Sequence, residues 1–335
     1  MGGNKLAGVG VEIRSNVVRA AALKPGRGQD SIVACAEEKL APGVMENGSI
    51  RDKDALTIAI TNVWKALAVK EKRVVTSVSG QQTIVRTMKM PGVDDKSLKT
   101  AARYQAASVL PIPMEEAAVE IAGYVKKSES MDTEVTVVAV RRMFVEEIAA
   151  VMRQAGLEPT VVEISPIAAF RVLGGEEDCE AIMDMGTTST VFSIFEHGCL
   201  KFARTVQTGS MQFLSLAADE RGINLEEAAA TIMDIRQSNN LEFLANELIT
   251  EIRRSIEYYN IQSGRTIDIK CLSLTGTGLG IGGLLDFVKG SFNFRVEPGN
   301  PLKSIALTKD VSGNEKERIK QYYSVALGLA ARRRG

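Results

Sequence analysis

A single histidine, His197, stands in 335 residues, so neither a Ser-His-Asp relay nor a multi-histidine metal centre is within reach of this chain. Cysteine is scarce as well. Cys35, Cys179, Cys199 and Cys271 lie far apart, form no Cys-x-x-Cys pair, and sit in or beside apolar runs. That pattern fits small buried hydrophobes in a reducing compartment better than a disulfide framework or a zinc site. Neither sign of charge dominates: 41 Lys and Arg balance 41 Asp and Glu, which argues against nucleic-acid binding through a basic excess. No apolar run approaches the roughly 18 residues of a membrane span. The first residues lack the charged-then-apolar pattern of a secretory leader. A cytoplasmic location is therefore expected. Chemistry, if there is any, must come from carboxylates, hydroxyls, backbone amides and a bound cation.

What is present is a repeated pattern. Residues 6–38 alternate apolar and small residues between turn signals and predict three antiparallel strands. Leu56, Ile60, Val63 and Leu67 then recur at helical spacing behind Asp52, a residue suited to an N-cap. A strand over 73–79 completes the opening of an α/β layer. From 84 to 158 the rhythm changes. A strand (84–90), a helix (94–109), a Pro111-Ile112-Pro113 break, strands near 117–125 and 134–140, and a helix (144–155) closed by Gly156 suggest an inserted α+β subdomain. From Cys179 the opening is repeated, with strands at 180–185, 190–196 and 199–207. Glu196-His197-Gly198 reads as a hairpin turn. Helices are expected at 209–221, 224–235 and 241–262, then a strand at 267–274 and a small-residue helix at 322–331. Asn224 and Glu227 come close to a capping box without the usual Ser or Thr. At about 335 residues this organisation suits two domains. The expected division is 1–80 with 159–178, an insert over 81–158, and 179–335 with a helical part at 216–266.

Three segments carry possible chemistry. The first is Asp184-Met185-Gly186-Thr187-Thr188-Ser189-Thr190, where an apolar strand ends in a carboxylate and turns through Gly and hydroxyls. Amides at Gly186, Thr187, Thr188 and Ser189 can cradle a phosphate, and Asp184 can hold a hydrated Mg²⁺. A plain polar hairpin is the alternative. An earlier copy, Gly10-Val11-Glu12-Ile13-Arg14-Ser15-Asn16-Val17-Val18-Arg19, aligns Glu12 with Asp184 and Arg14 with Gly186. The second segment is Thr275-Gly276-Thr277-Gly278-Leu279-Gly280, a strand running into a Gly-rich turn. No Gly-Lys-Ser/Thr occurs, so P-loop chemistry is excluded. The third is Glu251, Arg254 and Ser255, which share one helix face by i, i+3, i+4 spacing and can frame an adenosine or simply face solvent.

Together these segments resemble the actin-like ATPase superfamily, in which two related domains each supply a phosphate hairpin and a Gly-rich adenosine motif follows. Within it the chain is similar to the FtsA/PilM family. The likeness rests on Val75-Thr76-Ser77-Val78-Ser79-Gly80, Met90-Pro91-Gly92, Leu110-Pro111-Ile112-Pro113, Ala155-Gly156-Leu157-Glu158-Pro159 and Arg254-Ser255-Ile256-Glu257-Tyr258-Tyr259. The resemblance implies an actin-like α/β fold with the insert placed as in FtsA and PilM. Two hinge helices are implied around Glu163-Ile164-Ser165-Pro166 and Ser324-Val325-Ala326-Leu327. Nucleotide contacts are implied at Ser15, Asn16, Arg19, Gly186, Thr187, Thr188, Ser189, Glu251, Arg254, Ser255, Gly276, Thr277 and Gly278. Mg²⁺ would lie near Glu12 and Asp184, and Glu12 or Glu163 would act on the attacking water of a slow ATPase. The implied role is a cytoplasmic scaffold of a type IV pilus machine. It would sit at the inner membrane by binding the N-terminal cytoplasmic peptide of a PilN-like membrane protein, in a groove near residues 75–86 and 109–114. Other pilus components would be further partners.

The chain departs from that family in the first hairpin. Glu12, Arg14 and Arg19 stand where Asp, Gly and Lys are usual. The longer Glu12 shifts an octahedral Mg²⁺ site, and Arg14 removes the space and backbone freedom that Gly provides. Two readings follow: Arg14 or Arg19 contributes to binding ATP, or the cleft is degenerate and the protein is a nucleotide-independent scaffold like GspL. A small-molecule kinase of the same superfamily is a further alternative, although no general base stands out.

Overall fold

The computed structural model describes residues 7–78, 82–91, 95–126, 132–230, 234–308 and 312–332. The uninterrupted apolar runs at the start form β1 (Gly8–Ile13) and β2 (Val17–Lys24), buried on both faces because helices cover both sides of their sheet. β3 (Ser31–Lys39), a short hairpin of β4 (Met45–Glu46) and β5 (Ser49–Ile50), α1 (Lys53–Leu67) and β6 (Arg73–Val78) follow. Asp52 does cap α1, accepting from the Ala55 N–H at 2.9 Å. The chain then builds a separate sheet from β7 (Thr83–Pro91), α2 (Asp95–Ala106), β8 (Ala117–Lys126) and β9 (Asp132–Arg141), ordered β7-β9-β8. It returns through α3 (Arg142–Gln154), β10 (Glu158–Ile164) and α4 (Ser165–Leu173). Gly156 does close α3, at φ +78°.

The second half contains β11 (Cys179–Met185), β12 (Thr190–Glu196), β13 (Cys199–Val206), α5 (Ser210–Arg221), α6 (Leu225–Ala230), α7 (Asn239–Ser263), β14 (Cys271–Gly276), α8 (Leu284–Ser291) and β15 (Arg295–Pro298). β16 (Ala306–Leu307), α9 (Gly313–Tyr322) and α10 (Ser324–Ala330) end it. The two large sheets repeat strand for strand. β3-β2-β1-β6-β10 matches β13-β12-β11-β14-β15, with antiparallel pairing before the central strand and parallel pairing after it. β16 alone breaks the symmetry, crossing back to pair with β3.

α4 and α10 pack directly against each other. Gly328 permits their contact: a Cβ there would lie 1.8 Å from the Ala168 carbonyl oxygen. Ile182, Phe195 and Leu200 of the second sheet pack into the core of the first, and Phe195 stacks on Phe170 of α4 at 3.9 Å.

Several boundaries differ from those read in the sequence. The strand expected at 267–274 begins only at Cys271. Ile267 and Ile269 are buried, but the Ile267 N–H is taken by the Asn260 side chain rather than by a neighbouring strand. The helix expected at 224–235 is described to Ala230, and Asp234 then caps a separate 3₁₀ turn at Ile235–Gln237. Residues 231–233 lie outside the described residues. Asn224 and Glu227 make both reciprocal bonds of a capping box, with Asn in the place of Ser or Thr. The helix expected at 322–331 is α10, at 324–330, and α9, which was not expected, precedes it with a break at Tyr323. Ser79, Gly80 and Gly92 of the family motifs, and Arg333 and Arg334, lie outside the described residues.

Candidate functional site

The turns after β1 and β11 have the same backbone pattern. The Arg14 N–H donates to the Val17 carbonyl at 2.9 Å, and the Gly186 N–H to the Ser189 carbonyl at 2.8 Å. Neither residue has a positive φ, so neither turn needs glycine for its backbone, contrary to the expectation from sequence. The difference lies in the side chain. The guanidinium of Arg14 crosses between the hairpins, donating through Nε to Glu12 Oε1 and through Nη2 to Asp184 Oδ2 at 2.6 Å. A Cβ at Gly186 would stand 3.5 Å from Arg14 Nη1. Glu12 and Asp184 are buried. Burial pulls the Arg14 guanidinium down, but Asp184 and Glu12 outweigh that and hold it above its ordinary value. The remaining oxygens, Glu12 Oε2 and Asp184 Oδ1, are buried without a protein partner. Glu12 and Asp184 line a cavity of about 70 Å³ with Ser15, Gly186, Thr187, Thr188 and Ser189.

The second hairpin is held from two sides. The N–H groups of Ser210 and Met211 at the start of α5 donate to the Gly186 and Thr187 carbonyls at 3.0 and 2.9 Å. The Thr277 hydroxyl lies 2.9 Å from both the Met185 and the Gly186 carbonyl oxygens. Gly276, at φ +81°, makes this approach possible, since a Cβ there would lie 2.2 Å from the Met185 carbonyl oxygen. Thr277 and Gly278 therefore lie against the hairpin, with Gly278 buried beneath the Met185 side chain. Ser165, Met45 and Gly48 also line the cavity, although sequence reasoning had not placed them there. Asn47-Gly48 was a signal for the β4–β5 hairpin, because that dipeptide favours the two positive φ values found there.

Other predicted residues are engaged elsewhere. Asn16 is exposed beside the turn. Arg19 pairs with Glu37 at 3.1 Å and lies over the rings of Tyr322 and Tyr323. Glu251 accepts from Arg204 at 2.9 Å and from Arg254, while the buried Ser255 hydroxyl donates to the Glu251 carbonyl at 2.7 Å. Glu163 is held by Arg171 at 2.7 and 3.0 Å and by Arg332, and Arg171 also reaches the Gly328 carbonyl. Glu163 faces a different cavity from Glu12 and Asp184.

That second cavity, of about 490 Å³, lies between β10 and the three-stranded sheet. Val78, Ala118, Ile121, Val138, Val140, Val161, Ile164 and Ile167 make its walls apolar. The Lys99–Glu120 ion pair, Glu163 and Arg332 contribute charge. β10 and β8, which line it, are both outer strands of their sheets. Of the two segments expected to form a groove, 75–86 contributes Val78, whereas Met114 from 109–114 lines a separate hollow with Met90 and the exposed Tyr104.

A family model described as Type IV pilus assembly protein PilM matches residues 10–334. The chain belongs to the PilM family. Among solved structures, a PilM-PilN type IV pilus biogenesis complex is 23% identical, with 96% of this chain and 97% of that chain covered at a TM-score of 0.83. The ethanolamine utilization protein EutJ of Carboxydothermus hydrogenoformans is 14% identical, with 97% and 89% covered at 0.56. MreB5 of Spiroplasma citri bound to AMPPNP is 11% identical, with 96% and 94% covered at 0.52. This PilM-family chain thus has the actin-like fold. Among the described residues, no helix is long and apolar enough to cross a membrane.

The interdomain cleft of this PilM-family chain does not fit magnesium and a triphosphate as it stands. A metal ion between Glu12 and Asp184 would have to displace the Arg14 guanidinium already bonded to both. The cavity of about 70 Å³ holds a few waters, whereas small-molecule pockets run to roughly 300–1,000 Å³.

Proposed function

We propose that this protein is a cytoplasmic scaffold of a type IV pilus machine and binds the N-terminal cytoplasmic peptide of a PilN-like membrane protein. It is held at the inner membrane through that partner. The observation that carries this reading is the apolar cavity between β10 and β8 in a member of the PilM family. Both strands end their sheets, so an extended segment laid between them meets backbone donors and acceptors as well as apolar walls. The flanking charges of Lys99, Glu120, Glu163 and Arg332 suit a peptide whose apolar residues are bounded by polar ones.

Calorimetric titration with the synthetic N-terminal peptide of the cognate PilN-like protein tests this. Saturable one-to-one binding is expected, and Val161→Arg, which places a cation against the apolar wall, should abolish it in a chain that still unfolds cooperatively. A peptide that gives no heat, or binds Val161→Arg equally well, would sink the assignment. The Arg14 bridge favours the nucleotide-independent form of this scaffold, since the cavity proposed for the peptide shares no lining residue with the cleft that Arg14 occupies.

A further inference from the structure

We propose that Arg14 takes the place of the metal ion in the interdomain cleft, so that an internal bridge, Glu12–Arg14–Asp184, joins the two hairpins without magnesium or nucleotide. Four observations converge on it. The guanidinium contacts both carboxylates that would otherwise approach a divalent cation, one from each half of the molecule. Among the described residues lining the cavity, Arg14 is the only cation, so with Glu12 and Asp184 it leaves one net negative charge, which repels a polyphosphate. Arg19, the other candidate for a phosphate contact, is held by Glu37, Tyr322 and Tyr323. The amides of Ser210 and Met211 at the start of α5 are bonded to the hairpin itself.

The bridge works by the same electrostatics as a metal. Two buried carboxylates facing each other repel unless a cation lies between them, and a guanidinium presents a planar pair of donors where a metal presents coordination sites. Because Arg14 is part of the chain, this cation does not leave when a ligand is hydrolysed or released. Domain closure in this protein is then independent of nucleotide state. With the guanidinium removed, Glu12 and Asp184 are the two carboxylates that a divalent ion entering between the hairpins would meet.

The full chain and Arg14→Ala are titrated with Mn²⁺, followed by its electron paramagnetic signal, and with MgATP by calorimetry. The wild type is expected to take up neither at millimolar concentration, and Arg14→Ala to bind Mn²⁺ at least about tenfold below that limit, its thermal midpoint rising when Mn²⁺ is added. Arg14→Ala/Asp184→Asn should lose that gain. Saturable MgATP or Mn²⁺ binding by the wild type would overturn the proposal, and so would a folded Arg14→Ala that binds Mn²⁺ no better. Should Arg14→Ala fail to fold, the wild-type titrations and those of Asp184→Asn, which keeps the Arg14–Glu12 contact, still decide. Peptide binding measured in parallel, with and without MgATP, separates failure here from failure of the scaffold assignment: the peptide isotherm is expected to be unchanged by MgATP.

Discussion

The turn after β1 and the turn after β11 share a backbone and differ in what fills it. At the second, Gly186 leaves the turn open, and the hairpin is braced from outside by Thr277, Ser210 and Met211. At the first, Arg14 occupies the shared space and ties Glu12 to Asp184. One side keeps an open turn and the other supplies the cation that reaches across to it. The comparison teaches that a duplicated scaffold can keep its geometry after one copy has changed its chemistry. Backbone pairing depends on strand register, whereas ligand binding depends on a few side chains at the turn.

The comparison can be broken most severely at its centre. Arg14→Met leaves two buried carboxylates without their shared partner and should destabilise by about 3–5 kcal/mol in denaturant unfolding. Arg14→Met/Asp184→Asn should recover a large part, and a double variant no more stable than the single one would show that the bridge is not the source. Beside the other hairpin, at the end of β14, Gly276→Ala places a Cβ against the Met185 carbonyl at a positive φ. A loss of about 3 kcal/mol is expected there from strain and overpacking together, measured by the same unfolding curve. Arg19→Met sharpens the distinction between a structural and a phosphate-facing arginine. It removes the Glu37 pair and the contacts with Tyr322 and Tyr323, for about 1–2 kcal/mol. Titration of that variant with peptide or MgATP should match wild type.

The smallest effect concerns the far end of β11. Burial pushes the Glu180 carboxyl above its ordinary value, although the Gly175 N–H opposes this. The folded form therefore holds the proton more tightly than the unfolded chain. This group's contribution favours the fold at acid pH and is lost as pH rises from 4.5 through the raised value. Glu180→Gln should flatten that part of the stability–pH curve while leaving the cleft bridge intact. An unchanged curve would assign the pH dependence to other groups.

Much of the scaffold was legible because period and punctuation agree along the chain. The alternating runs, Asp52, Gly156 and His197-Gly198 mark elements that the structure contains. The alignment of Arg14 with Gly186 was legible too, since it follows from the strand ends. Where side chains point was not. Arg19 reads equally well as a phosphate ligand until Tyr322 and Tyr323 arrive from the other end of the chain. Glu251, Arg254 and Ser255 form a helix face by spacing, but Arg204 on β13 engages that face. Glu163 suits a water-positioning carboxylate until Arg171 and Arg332 close on it. The β16 pairing has no local signal, because a two-residue strand is made by its partner.

By itself, the sequence determined the repeated run of strands along the chain and the presence of Arg in the first turn where the second has Gly. These are properties of periodicity and of individual residue types, written locally. Only the tertiary structure decided that Arg14 bridges to Asp184 rather than pointing to solvent, and that Arg19 and Glu163 are engaged away from the cleft. Those outcomes depend on charges brought together from distant parts of the chain, and a buried ion's partner is chosen by proximity in space.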